Sequence, residues 1–254
     1  MAKVLKRIKK KFVNEIERKK LKRKDDETLV ERAVELVEED KEIAAQILSM
    51  VKDPTTKLSS LNDLHESLDA ENIKDVVNTL KPEQKPLLFE QDSVVKEIKN
   101  FESTEGALII KEAISRTKSP WKKLDRLYSS IDVLGDFDII SVLGTITGEE
   151  YENKKLAIIA KKIASNYTRF GTSMHIRELS ECLKNDELRR EIPSKTAEEF
   201  QKLKKKKHNK TSTKEEISDK IKMLLEDENL RYAEGERIKE IRDKTSKHNN
   251  GYGR

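Results

Sequence analysis

The sequence predicts an all-α protein, a helical-repeat array or α-solenoid-like bundle made of two related four-helix units plus a terminal helix pair, with basic helical arms at both ends. Three observations predict it. Gly and Pro number only 8 and 5 in 254 residues, too few for the frequent tight turns of a sandwich or barrel. Lys, Glu, Leu, Ile and Ala are abundant, a composition that favours helix. One stretch also occurs twice: residues 58–80 read LSSLNDLHESLDAENIKDVVNTL and residues 121–143 read WKKLDRLYSSIDVLGDFDIISVL. Shifted by 63 positions, Leu61 falls on Leu124, Leu64 on Leu127, Ser67 on Ser130, Leu68 on Ile131, Asp69 on Asp132 and Leu80 on Leu143. Similarity at a period of tens of residues marks stacked supersecondary units, each too small to bury its apolar face alone.

Residues 1–25 form a basic amphipathic arm. Val4, Leu5, Ile8, Phe12 and Ile16 recur at helical spacing, and lysines and arginines fill the positions between them. A composition switch at KRKDDE opens the first unit, residues 26–80. Its helices are expected near 27–38, 40–51, 53–68 and 70–80, with Leu29, Ala33, Ile43, Ile47, Leu58, Leu61, Ile73 and Val76 on their inner faces. Asp53 followed by Pro54 reads as an N-cap and a first-turn proline, where the missing N–H costs nothing. Two prolines in residues 81–91 mark a linker or short helical turn.

The second unit, residues 92–146, repeats the plan. Val94, Val95 and Ile98 sit at an offset of about 65 from Leu29, Val30 and Ala33. Ser119-Pro120 occupies the place of Asp53-Pro54. Trp121, Leu124, Leu127 and Ile131 make the next stripe, then Phe137, Ile140 and Leu143, with Gly144 placed to end the helix. Thr147 and Glu150 have the spacing of a capping box ahead of a helix over 148–167, and another helix near 173–184 completes a terminal pair in residues 147–193. At Pro193 the composition shifts again, and residues 194–254 read as a Lys-rich linker, C-terminal helices and a tail.

Chemistry is sparse. The single Cys182 cannot form an intramolecular disulfide, and its place on an apolar stripe points to a buried structural thiol. Four scattered histidines give no metal-ligand spacing, and no phosphate loop or nucleophile elbow is present. The repeated acidic positions Asp69/Asp132 and Asp75/Asp138 are read as caps and first-turn residues complementing the helix dipole, and His65 as a boundary residue beside its leucine stripe. No catalytic residue, metal or cofactor is expected, so the chain is read as a non-enzyme. No apolar run approaches the ~20 residues that span a bilayer and no secretory signal is evident, which points to a soluble, cytoplasmic protein.

Charge is distributed unevenly. Residues 1–24 carry 12 basic and 2 acidic side chains, whereas residues 25–96 carry 8 and 18. Lysines in such arms neutralise phosphates with little sequence preference. The expected function is therefore a scaffold or adaptor that docks on a polyanion, whether RNA, a ribonucleoprotein or DNA, without reading bases. The candidate contact residues are Lys6, Arg7, Lys9, Lys10, Lys11, Lys19, Lys20, Arg23, Lys204, Lys205, Lys206 and Lys207. Two alternatives remain open: a protein–protein scaffold using the helical body, and peripheral membrane attachment through the N-terminal amphipathic helix. The arm's stripe packing back on the acidic first unit, its lysines merely solvated, would serve no docking at all. Trp121 and Tyr128 fall on one side of their helix and are assigned to the core in preference to a stacking surface.

Overall fold

Several helix starts in this chain are fixed by side-chain oxygens. The computed structural model describes residues 21, 23–101, 104–170, 175–204 and 214–226, and among these every regular element is helical. The residues through Arg116 gather into one compact unit and those from Thr117 onward into a second.

The first unit comprises α1 (Asp26–Leu36), α2 (Lys41–Met50), α3 (Pro54–Asp63), α4 (Ala70–Asn78), a 3-10 segment (Pro82–Glu90), α5 (Asp92–Asn100) and α6 (Thr104–Ser115). Four aspartates open α1 to α4. Asp25 accepts from the Thr28 N–H, Asp40 from Ile43, Asp53 from Thr56 and Asp69 from Asn72, each satisfying an amide that has no partner within its helix. Asp26 ties α1 to the α2–α3 turn by accepting from the N–H groups of Lys52 and Asp53. α1 packs on α2, α2 on α4, and α6 on both α5 and the 3-10 segment. Leu29, Ala33, Leu48, Leu61, Ile73 and Val76 are fully enclosed between them.

Asp53 yields a direct test. The backbone N–H of Thr56, followed by its hydroxyl, holds the Asp53 carboxyl below the ordinary carboxylate value. A lowered folded-state pKa contributes stability above the unfolded value that disappears as pH falls through the folded one. Asp53→Ala should therefore lower the urea midpoint at neutral pH, and the gap from wild type should close in acid.

The second unit comprises α7 (Pro120–Ser129), α8 (Asp136–Gly144), a 3-10 turn (Glu149–Tyr151), α9 (Glu152–Phe170), α10 (Ile176–Glu181), α11 (Asp186–Lys204) and α12 (Lys214–Glu226). α9 lies along α11, and α11 in turn packs on α12. Ile158, Ile159, Ile163, Ile192, Ala197 and Ile221 form the seam.

Among the described residues three lysines are buried, and each ammonium is satisfied by oxygens from other segments or its own helix. Lys57 donates to the Ser49 carbonyl and the Thr79 hydroxyl, Lys162 to the carbonyls of Leu134 and Ile131, and Lys155 to Glu152 and the Cys182 carbonyl. They supply donors to carbonyls near helix ends, where no amide follows to pair with them. Burial pushes the Lys57 pKa down, and Asp26 partly offsets this.

Several expectations are corrected. Thr147 and Glu150 form no capping box: Gly148 turns the chain at φ 130, a 3-10 turn intervenes, and α9 begins at Glu152 rather than near 148. Gly144 is the last helical residue of α8 and does not adopt the left-handed stop. Pro193 lies inside α11. The helix survives the missing N–H because Ile192, Thr196, Ala197 and Phe200 are buried around it, and packing outweighs the local cost.

The 63-residue register is also displaced by nearly one helical turn. Helices α3 and α7 are both 10 residues long with proline first, and α4 and α8 are both 9. Their boundaries coincide at a shift of 66, which pairs Asp53 with Ser119 and Asp69 with Gly135. At this shift Leu58, Leu61, Leu68, Ile73, Val76, Val77 and Leu80 fall on Leu124, Leu127, Leu134, Ile139, Val142, Leu143 and Ile146, all of them buried. Thr79 and Thr145 also correspond, and each hydroxyl donates to the carbonyl three residues earlier.

Candidate nucleic-acid interface

Of the residues expected to meet a polyanion, Lys6, Arg7, Lys9, Lys10, Lys11, Lys19, Lys20, Lys205, Lys206 and Lys207 lie outside the described residues. Arg23 is exposed in the turn before α1, and Lys204 is the last residue of α11.

A basic and aromatic surface instead appears on α7, where the sequence argument had placed core. The residues Pro120–Tyr128 turn Leu124 and Leu127 inward and leave Trp121, Lys122 and Asp125 exposed. Trp121 keeps 48% of its surface in solvent. This is a correction, and its cause is positional: Trp121 is the second residue of α7, outside the Leu124–Leu127–Ile131 stripe that meets the core. Phe137, likewise the second residue of its helix and expected on the core stripe, is 64% exposed, with its ring centroid 4.3 Å from that of His175.

The Trp121 ring is held by Tyr151 from the 3-10 turn, with centroids 5.0 Å apart and planes inclined at 67°, the edge-to-face arrangement that aromatic quadrupoles prefer. Desolvation, and after it the nearby Glu150 carboxylate, raises the Tyr151 pKa above the ordinary tyrosine value, so its hydroxyl stays protonated at neutral pH. Two turns along α7, Tyr128 receives two ammonium groups from α9. Lys161 Nζ is 3.9 Å from the ring centroid and Lys154 Nζ is 5.3 Å away, both within cation–π range. Lys161 also donates to the Tyr128 carbonyl at 2.9 Å, and Lys154 pairs with Asp125 at 2.8 Å.

The surface has an internal control in the first unit. Shifting by 66 places Trp121, Lys122, Asp125 and Tyr128 on Thr55, Thr56, Ser59 and Asn62; Trp121 and Asp125 are exposed like Thr55 and Ser59, Tyr128 is half-buried like Asn62, and Lys122 is exposed where Thr56 is half-buried. The same face of the matching helix is thus neutral and polar in one unit, and aromatic and charged in the other. Residues 118–128 carry four basic side chains and one acidic one, whereas residues 52–62 carry two and one, and the Lys57 among the latter is buried. Comparing the two segments in the cap register would have found this contrast from sequence. The 63-residue register hid it.

The remaining candidate features resolve as structure. Asp69 and Asp138 accept backbone N–H bonds at helix starts, while Asp132 accepts from the Ser165 hydroxyl. His65 is half-buried, its Nδ1 2.6 Å from the Asn62 carbonyl oxygen. Cys182 is half-buried rather than buried, at the C-cap of α10, and burial pushes its thiol pKa up. Among the described residues no group of three His, Cys, Asp or Glu is placed to hold a metal ion, and no helix is long and apolar enough to cross a membrane. A groove of about 610 Å³ between α10, α11 and α12 is lined by Arg177, Arg189, Arg190 and Lys222. Glu181, Asp219 and Glu226 interleave with these cations, so its field has no single sign.

Compared with protein-family models, curated proteins and solved structures, the chain matches none.

Proposed function

We propose that this chain is a non-enzymatic helical scaffold or adaptor that docks on nucleic acid through basic surfaces without base-specific readout. In this reading its body is a helical repeat whose α3–α4 and α7–α8 hairpins are copies, and its arms are basic. One observation carries the proposal: the exposed face of α7 combines Lys122 with Trp121 and Tyr128, and Lys154 and Lys161 approach from α9. Lysines release counterions from a phosphate backbone, and aromatic rings among them offer contact that charge alone does not. The N-terminal arm, at a net charge of +10 over residues 1–24, adds a second and longer-ranged attraction.

The test is fluorescence anisotropy of the full chain with labelled single-stranded RNA and duplex DNA across a salt series. Binding should weaken steeply as salt rises, with log K falling in proportion to log salt. Replacing Lys6, Lys9, Lys10 and Lys11 by Gln in the full chain should flatten that slope. An absence of binding at low salt would refute the proposal and turn attention to protein partners of the helical body.

A further inference from the structure

We infer that Trp121 is a stacking platform for an unpaired base, so that the preferred ligand of the α7 face is single-stranded nucleic acid rather than a duplex. The inference rests on the docking function proposed above and deepens it.

Three observations combine. Trp121 is half in solvent at a helix position whose counterpart, Thr55, is also exposed. The backbone therefore directs this position outward in both hairpins, and burial does not explain an indole there. A large apolar ring left in water forgoes the transfer free energy that its burial would give, and a ligand that covers it recovers that term. Tyr151 fixes the ring from one side. An indole held in one orientation loses little conformational freedom when a planar group is laid on it, which raises affinity by lowering the ordering cost.

The third observation is where the cations lie. Lys122 is adjacent on α7, and Lys154 and Lys161 are grouped around Tyr128 about 10 Å further along the helix axis. A single strand can present a base to the indole while its phosphates follow the lysines. A base pair in a duplex has both faces covered by its neighbours and would need to be unstacked first. Stacking suits docking without base readout, since every base has a π-face and none needs to be identified. Asp125 and Glu150 temper the local field, so the surface selects for a ring together with phosphate and not for charge alone.

The chain has a single tryptophan, so its emission reports on this position without interference. The full chain would be titrated with oligo(dT), oligo(U), a blunt DNA duplex and inorganic polyphosphate, with emission and anisotropy read together. Both oligonucleotides should quench the emission, and polyphosphate and duplex should bind without quenching. The ratio of oligo(dT) to oligo(U) affinity distinguishes DNA from RNA. Trp121→Ala should weaken oligonucleotide binding about ten- to a hundredfold and leave polyphosphate binding unchanged. Trp121→Phe should recover part of the loss, and circular dichroism of both variants should match wild type.

Oligonucleotide binding without quenching, or with equal loss for polyphosphate in Trp121→Ala, would overturn the stacking inference and leave the docking function standing. No binding of any polyanion would overturn both.

Discussion

Glu152→Ala is expected to cost the second unit about 3–5 kcal/mol, the range for removing one partner of a buried ion pair. Lys155 is 2% exposed and Glu152 is 4%. Their ammonium and carboxylate meet at 3.0 Å. The other carboxylate oxygen accepts from the Lys184 N–H at 2.7 Å and more weakly from that of Asn185. One side chain thus neutralises a buried cation and caps the turn between α10 and α11. Its removal leaves the ammonium with only the Cys182 carbonyl at 3.4 Å and takes the side-chain acceptor from two backbone amides.

The same site gives a pH dependence. Burial alone would raise the Glu152 pKa, but the bonds from Lys155 and the two amides, together with the charge of Lys155, outweigh it and bring the pKa below its ordinary value of 4.5. The stabilisation is present above that unfolded value and is lost as pH falls through the lower folded one. Chemical denaturation of wild type, Glu152→Ala and Glu152→Gln at neutral and acid pH checks both statements. A neutral-pH difference below about 1 kcal/mol would mean that water reaches the pair and weakens it.

Gly106→Ala should be the next most damaging change. A Cβ at this position would lie 2.3 Å from the Ile98 carbonyl oxygen and 3.2 Å from the Phe101 Cβ, so α6 could accept it only by moving off the end of α5. Alanine is the better helix former by about 0.8–1 kcal/mol, which makes the sign of the result decisive. We expect a net loss of about 1–3 kcal/mol, the usual cost of overpacking. Gly144→Ala is the matched control. Nothing lies within 4 Å of its Cβ and its φ is not positive, so a gain of about 0.4–1 kcal/mol is expected. Melting both variants by circular dichroism separates the two outcomes.

Helical content and most helix starts were legible because their causes are local. Asp53-Pro54 and Ser119-Pro120 fix α3 and α7 through a side-chain oxygen and a proline ring, both visible in four residues of text. The inward faces of α1, α3, α4 and α5 also followed from apolar spacing, whereas on α2 the expected Ile43 is only half-buried and Ala44, Ala45 and Leu48 join Ile47 inside. The register between the two hairpins was not recoverable from leucines alone, because an amphipathic helix nearly repeats after three or four residues. A shift of 63 therefore matches leucines almost as well as one of 66. Only the non-periodic marks, the two cap prolines and Thr79 with Thr145, distinguish the registers. Trp121 and Phe137 were misplaced for a related reason. Each stands at the edge of an apolar stripe, and a few tens of degrees around the helix axis separate core from solvent there. At Pro193 a local rule was overridden by burial on α9, which is a tertiary fact.

The three interior lysines have a practical consequence for probing the molecule. Their amines at residues 57, 155 and 162 are occupied as donors and shielded from solvent, so reagents that acylate or methylate free amines should spare them while modifying the many surface lysines. Each becomes reactive only when its surroundings open. Mass-spectrometric timing of modification at Lys57 would report on opening of the first unit, and at Lys155 and Lys162 on the second. The chain thus carries its own site-resolved clock for whether the two units loosen together or one at a time.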